Sequence, residues 1–216
     1  MDQLHDIRAR IAQSARIAGR KPEAVELVAI SKTHDVDAIE PLLAAGQRVF
    51  GENRVQEAQA KWPDLRTAHP DVKLHLVGQL QSNKADDAVA LFDCIHSLDR
   101  PSLVAALGKA MEKAGRQVPC FIQVDIGEEE QKGGCPISEV PALLGSAREA
   151  GIPVVGLMCV PPAGIEAAPF FALLAKIAAD NGLDQLSMGM SEDFETAVLL
   201  GATHVRVGSA LFGSRA

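Results

Sequence analysis

The chain has 216 residues, a formal net charge of −7 at pH 7 and apolar residues over 47% of its length. A single domain of that size buries roughly 70% of the surface its unfolded form exposes, and no apolar run approaches the roughly 20 residues of a membrane-spanning helix. Basic residues are scattered among acidic ones, so nucleic acid and membrane are not expected as partners, whereas a small anion held by local backbone dipoles is compatible with the charge.

Residues 1–20 carry charges throughout, and Leu4, Ile7, Ile11 and Ala15 recur at helical spacing, which predicts a helix of the fold and not a secretory signal. Eight short apolar or β-branched runs follow, at 25–30, 48–50, 73–77, 94–97, 118–126, 154–160, 186–190 and 203–207. Amphipathic stretches at 36–45, 54–62, 101–114, 138–150, 170–179 and 192–200 lie between them, and Gly46, Gly115, Gly151, Gly182 and Gly201 stand where helices stop. Strand and helix in alternation predict a parallel sheet, because a parallel crossover is usually helical. Eight such units close into one (β/α)8 TIM barrel over 1–216, with the N-terminal helix as an extra element. A seven-stranded or doubly wound sheet gives much the same pattern. Cys94, Cys120, Cys135 and Cys159 form no C-x-x-C pair, so neither a zinc site nor a disulfide framework is expected, and a reducing cytoplasm fits.

In such a barrel the chemistry sits just beyond the C-terminal ends of the strands. Lys32 follows the run Leu27-Val28-Ala29-Ile30-Ser31, which puts an amine at the rim beside apolar walls. A deprotonated amine there attacks an aldehyde; a solvated strand-end lysine is the plainer alternative. Around the last two strands Gly189, Gly208 and Gly213 permit close backbone approach, and Ser191 and Ser209 offer hydroxyls near exposed amides. That composition suits a phosphate cradle or, equally, tight turns.

The motifs Ala29-Ile30-Ser31-Lys32-Thr33, Phe50-Gly51-Glu52-Asn53, His75-Leu76-Val77-Gly78-Gln79-Leu80-Gln81-Ser82-Asn83-Lys84, Gly156-Leu157-Met158, Leu186-Ser187-Met188-Gly189-Met190-Ser191 and Val205-Arg206-Val207-Gly208-Ser209 with Phe212-Gly213 occur in this order. Together they resemble the YggS/PROSC family of pyridoxal phosphate homeostasis proteins, which share the barrel of bacterial alanine racemase. The resemblance implies a fold-type III barrel without the C-terminal β-domain, with pyridoxal 5′-phosphate as cofactor. It also implies that Lys32 forms the internal aldimine, that Ser191, Gly208 and Ser209 hold the phosphate, that Arg206 faces the pyridine nitrogen and that Asn53 lines the ring's other side. Arg54 stands where many relatives carry tyrosine, Gly127 where asparagine and serine are usual, and the 161–169 loop is compact.

Guanidinium stays charged at neutral pH and donates to an unprotonated ring nitrogen, which makes the cofactor a poorer electron sink. Alanine racemases use a tyrosine as the second acid/base, and this chain contains none; His75, His204 or Cys159 are the substitutes, although each reads more naturally as a packed residue. The expected role is therefore a non-catalytic carrier that buffers the cofactor and passes it to apo-enzymes, with a small pyridoxal phosphate-dependent racemase or decarboxylase as the alternative and a cofactor-free phosphosugar enzyme as a third reading. Lys84 and Lys132 are candidate secondary aldehyde sites or plain surface charges. A monomer is expected ahead of a homodimer.

Overall fold

The computed structural model describes residues 2–129 and 133–213. Eight strands, β1 (Glu26–Ile30), β2 (Val49–Glu52), β3 (Lys73–Leu76), β4 (Cys94–Leu98), β5 (Cys120–Val124), β6 (Val154–Cys159), β7 (Gln185–Ser187) and β8 (His204–Val207), form a closed barrel in sequence order. All pairs are parallel, and closure runs between β1 and β8 from Glu26↔His204 to Ala29↔Val207. Around them lie α1 (Asp2–Ile17), α2 (Val36–Ala44), α3 (Val55–Ala68), α4 (Ala85–Leu91), α5 (Pro101–Ala114), α6 (Val140–Glu149), α7 (Ala168–Asp180), α8 (Phe194–Leu199) and α9 (Ser209–Phe212). Among the described residues no helix is long and apolar enough to cross a membrane.

The strands' two-residue period separates two apolar environments. Leu27 and Ala29 of β1 join the main core between barrel and helices, which includes Phe50, Trp62, Phe171 and Phe194. Val28 and Ile30 join a separate cluster with Val49 and Val77, while Cys94, Phe121 and Met158 form a third with Val155 and Val160. The predicted N-terminal helix forms as α1; Leu4, Ile7, Ile11 and Ala15 are its buried stripe, and it is tied to α8 by an Arg10–Glu195 ion pair of 2.6 Å.

Several local expectations shift, among them β2, expected over 48–50, which reaches Glu52. The helix expected over 54–62 continues through Pro63 to Ala68; proline forfeits one backbone hydrogen bond, but burial of Trp62 and Leu65 on the core face holds the extra turn. The strand expected over 186–190 ends at Ser187, because Gly189 turns to φ +91°. A seven-residue helix, α4, occupies a stretch for which no helix was expected.

Candidate functional site

Lys32 leaves the barrel wall from a segment fastened by a buried charge network. Ser31 Oγ donates to Glu52 Oε1 at 2.6 Å, and Trp62 Nε1 donates to the same oxygen at 2.9 Å. Lys61 Nζ pairs with that oxygen at 2.8 Å, its side chain 8% exposed against 0% for Glu52. The same ammonium donates to the carbonyls of Ser31 and His34, each at 2.9 Å. Between those carbonyls Thr33 adopts φ +64°, and its amide donates to Glu57 Oε1 at 2.5 Å. A β-branched residue in the left-handed region is strained, and such strain persists only where the surroundings impose it.

Across the mouth, the chain beyond β7 keeps to the barrel: Met188 N donates to His204 O at 3.1 Å and Arg206 N to Gly189 O at 2.9 Å. A Cβ on Gly189 would lie 2.5 Å from Ala197 Cβ, so glycine is required there for space as well as for φ. Asp193 Oδ1 accepts from Met190 N at 2.6 Å and shapes the turn that presents Ser191. Ser191 Oγ accepts from the amides of Gly208 at 3.3 Å and Ala210 at 3.4 Å, so the last two loops point amides at a common place. Gly208 stands beside the root of the Lys32 segment, since a Cβ there would come within 3.4 Å of Ile30 Cβ. The His34 ring stacks on Phe212, centroids 4.3 Å apart at 14°.

Arg206 is inserted into the wall. Its Nη1 donates to Ser187 Oγ at 2.7 Å and its Nη2 to the Cys159 carbonyl at 2.8 Å. Burial pulls the guanidinium below its ordinary value, but a side chain that titrates so high remains a charged donor at neutral pH. Behind Ser187 the contacts continue inward: His96 Nδ1 lies 2.8 Å from Ser187 Oγ, and His96 Nε2 lies 3.1 Å from His75 Nδ1.

One cavity of about 730 Å³ opens at this end of the barrel, and Lys32, Asn53, Ser191, Arg206, Gly208 and Ser209 all line it. Six residues singled out from four separate motifs thus meet around one space. Ile30, Val77, Val160 and Met190 form the apolar wall expected beside Lys32, and His34, Glu192 and Asp193 also line the cavity; these last three were not singled out in the sequence, although His34 lies two residues from Lys32 and Glu192 and Asp193 follow Ser191 directly. Asn53 takes its place because Gly78 packs on its backbone, where a Cβ would stand 2.3 Å from the Asn53 carbonyl oxygen. His75, His204 and Cys159 are absent from the lining; burial pushes the Cys159 thiol up to about 12. Lys84 is also outside the lining and is 3.5 Å from Asp87, while Lys132 lies outside the described residues. An amine, a charged planar donor and a set of converging amides and hydroxyls suit a ligand carrying an aldehyde, a ring nitrogen and a phosphate.

Comparison with known proteins agrees with this chemistry. The alanine racemase N-terminal domain matches residues 3–216. A pyridoxal phosphate homeostasis protein of Pseudomonas aeruginosa is 37% identical over 220 residues, 99% of this chain and 95% of the relative. One of Escherichia coli strain K12 is 35% identical over 222 residues, 98% of this chain and 95% of the relative. Among solved structures, PipY of Synechococcus elongatus with PLP bound superposes with a TM-score of 0.83 at 40% identity, over 94% of this chain and all of that one, 100%.

Proposed function

The chain belongs to the alanine racemase N-terminal domain family and, within it, to the pyridoxal phosphate homeostasis proteins, and from that premise we propose that it binds pyridoxal 5′-phosphate and serves as a carrier and buffer for it in the cytoplasm. The observation that carries the reading is the single cavity in which the Lys32 amine, the Arg206 guanidinium and the Ser191, Gly208 and Ser209 group converge. In this reading the Lys32 amine condenses with the cofactor's aldehyde and releases water. Ser191, Ser209 and the Gly208 amide receive the phosphate, Arg206 donates to the ring nitrogen, and Asn53 lies along the ring. The 216 residues act as one domain, and apo-enzymes that need the cofactor are the recipients. Four free, buried cysteines suit a reducing compartment.

When bound, the cofactor would supply a conjugated ring able to withdraw electrons from the α-carbon of a substrate amine joined to its aldehyde carbon. Arg206 limits that capacity, because it donates a hydrogen bond without surrendering a proton. Racemisation further needs an acid/base on the face away from the lysine, and the chain has no tyrosine. His34 is the one histidine among the cavity's lining residues, and it belongs to the Lys32 segment with its ring held against Phe212. These features support a carrier over a racemase or decarboxylase.

The test is a visible spectrum of the full chain with the cofactor, then borohydride reduction and peptide mapping. The wild type is expected to absorb in the violet and to be trapped at Lys32; Lys32→Ala is expected to do neither. Trapping at another residue would overturn the assignment. Exchange of a substrate α-hydrogen with deuterated solvent, faster than with free cofactor, would favour the enzyme.

A further inference from the structure

We propose that His75, Cys94 and His96 form a second site, inside the barrel near its N-terminal end, for one zinc-class divalent cation. β3 and β4 pair with His75 directly opposite Cys94, and His96 lies two residues further along β4, on the same face. The three side chains are buried, and one donor atom from each lies within 4.8 Å of the other two. His75 Nδ1 and His96 Nε2 are 3.1 Å apart; two nitrogens bonded to one tetrahedral zinc at about 2.0–2.1 Å stand about 3.4 Å apart. The rings need to part by a few tenths of an ångström, and Cys94 Sγ, which lies within 4.8 Å of both nitrogens, to stand about 3.6 Å from each, by the same bond lengths.

The surroundings favour a ligand over mere packing. Barrel interiors are ordinarily filled by branched aliphatic residues, yet here two imidazoles and a thiol share the space with the Phe121 and His204 rings, whose centroids are 5.0 Å apart. A metal-bound histidine usually donates from its other ring nitrogen to a fixed acceptor. His96 Nδ1 faces Ser187 Oγ at 2.8 Å, so the tautomer that donates there leaves the Nε2 lone pair toward His75 and Cys94. Nitrogen and sulfur donors together select zinc or cobalt(II) over magnesium or calcium.

Access comes from the end opposite the Lys32 cavity. Glu26 and His204 open β1 and β8 there, their side chains 37% and 13% exposed and 3.4 Å apart. The Glu26 carboxylate, held below the usual range chiefly by the hydrogen bond with His204, gives the entrance a negative charge. The His75 and His204 ring centroids lie 6.1 Å apart, so His204 packs between Glu26 and the three donors. On binding, the Cys94 thiol passes its proton to solvent and its sulfur bonds the ion; three protein donors leave a fourth position for water.

The test uses the full chain, stripped with chelator and titrated with cobalt(II) in the absence of pyridoxal phosphate. One equivalent is expected, with a thiolate-to-cobalt charge-transfer band, intense tetrahedral bands in the visible, and displacement of both by zinc. Cys94→Ala is expected to lose the charge-transfer band, and His96→Gln to lose stoichiometric binding. X-ray absorption of the zinc-loaded wild type needs no variant and is expected to find one sulfur and two imidazole nitrogens. Binding below one equivalent, a shell of oxygen alone, or a charge-transfer band that survives in Cys94→Ala would overturn the site.

Discussion

Behind Lys32 the buried polar network lies outside the barrel wall and is charged; behind Arg206 it lies inside the barrel and, past the guanidinium itself, is neutral. The first joins Ser31, Glu52, Lys61 and Trp62. The second runs through Ser187 and His96 to His75. A charged pair fixes geometry firmly but depends on both partners, since either one alone is an uncompensated buried ion. A chain of hydroxyl and imidazoles can exchange donor and acceptor roles by changing tautomer, so it is tolerant until a proton is added.

The sharpest way to break this contrast is Glu52→Ala. It leaves Lys61 with Glu57 at 3.2 Å as its remaining carboxylate, and a loss of about 4 kcal/mol is expected in urea denaturation. Acid attacks the other network. The folded-state value of His75 is about 4 against an ordinary 6.5, so between those values the unfolded chain binds a proton that the folded one refuses. Stability therefore falls as pH drops from 6.5 toward 4, by about 3 kcal/mol for this group. Chelator-treated wild type should show that slope in denaturation at stepped pH, and His75→Gln should reduce it, leaving the share of His96, which burial also holds well below its ordinary value. Next in size is Ser187→Ala, which removes the acceptor from Arg206 Nη1 and is expected to cost about 2 kcal/mol by calorimetry. Smallest is Thr33→Gly. Relief of the left-handed strain outweighs the glycine's greater unfolded freedom, for a gain of about 1 kcal/mol in unfolding free energy, read as a higher midpoint in urea.

How far these networks could be read in advance depended on range. Hydrophobic period and glycine stops are local signals, and they placed all eight strands. β2 was expected to end at Phe50 because Gly51 and Glu52 look like loop residues; the ladder nevertheless reaches Glu52, whose carboxylate is turned to Trp62 and Lys61 on α3. Nothing local marks that pair, which joins a strand to the following helix. Of the six residues expected around the cofactor, Arg206 lies within β8 and the other five follow strand ends, a place that topology defines. His75 and His204 were read singly as packed residues, and both are largely buried. Their meeting with His96 depends on the register of β3, β4 and β8, and the spacing of cysteines along the chain carries no trace of it.

Lys61 grips the carbonyls on either side of Lys32, one residue before it and two after it. The anchor is thus bolted from behind, and the mobility left to the amine resides in its own four methylenes. Under the proposed function, a group joined to that amine swings by rotation about those bonds, with no strand unfastened and no helix shifted, and leaves when water or another amine breaks its bond to the nitrogen.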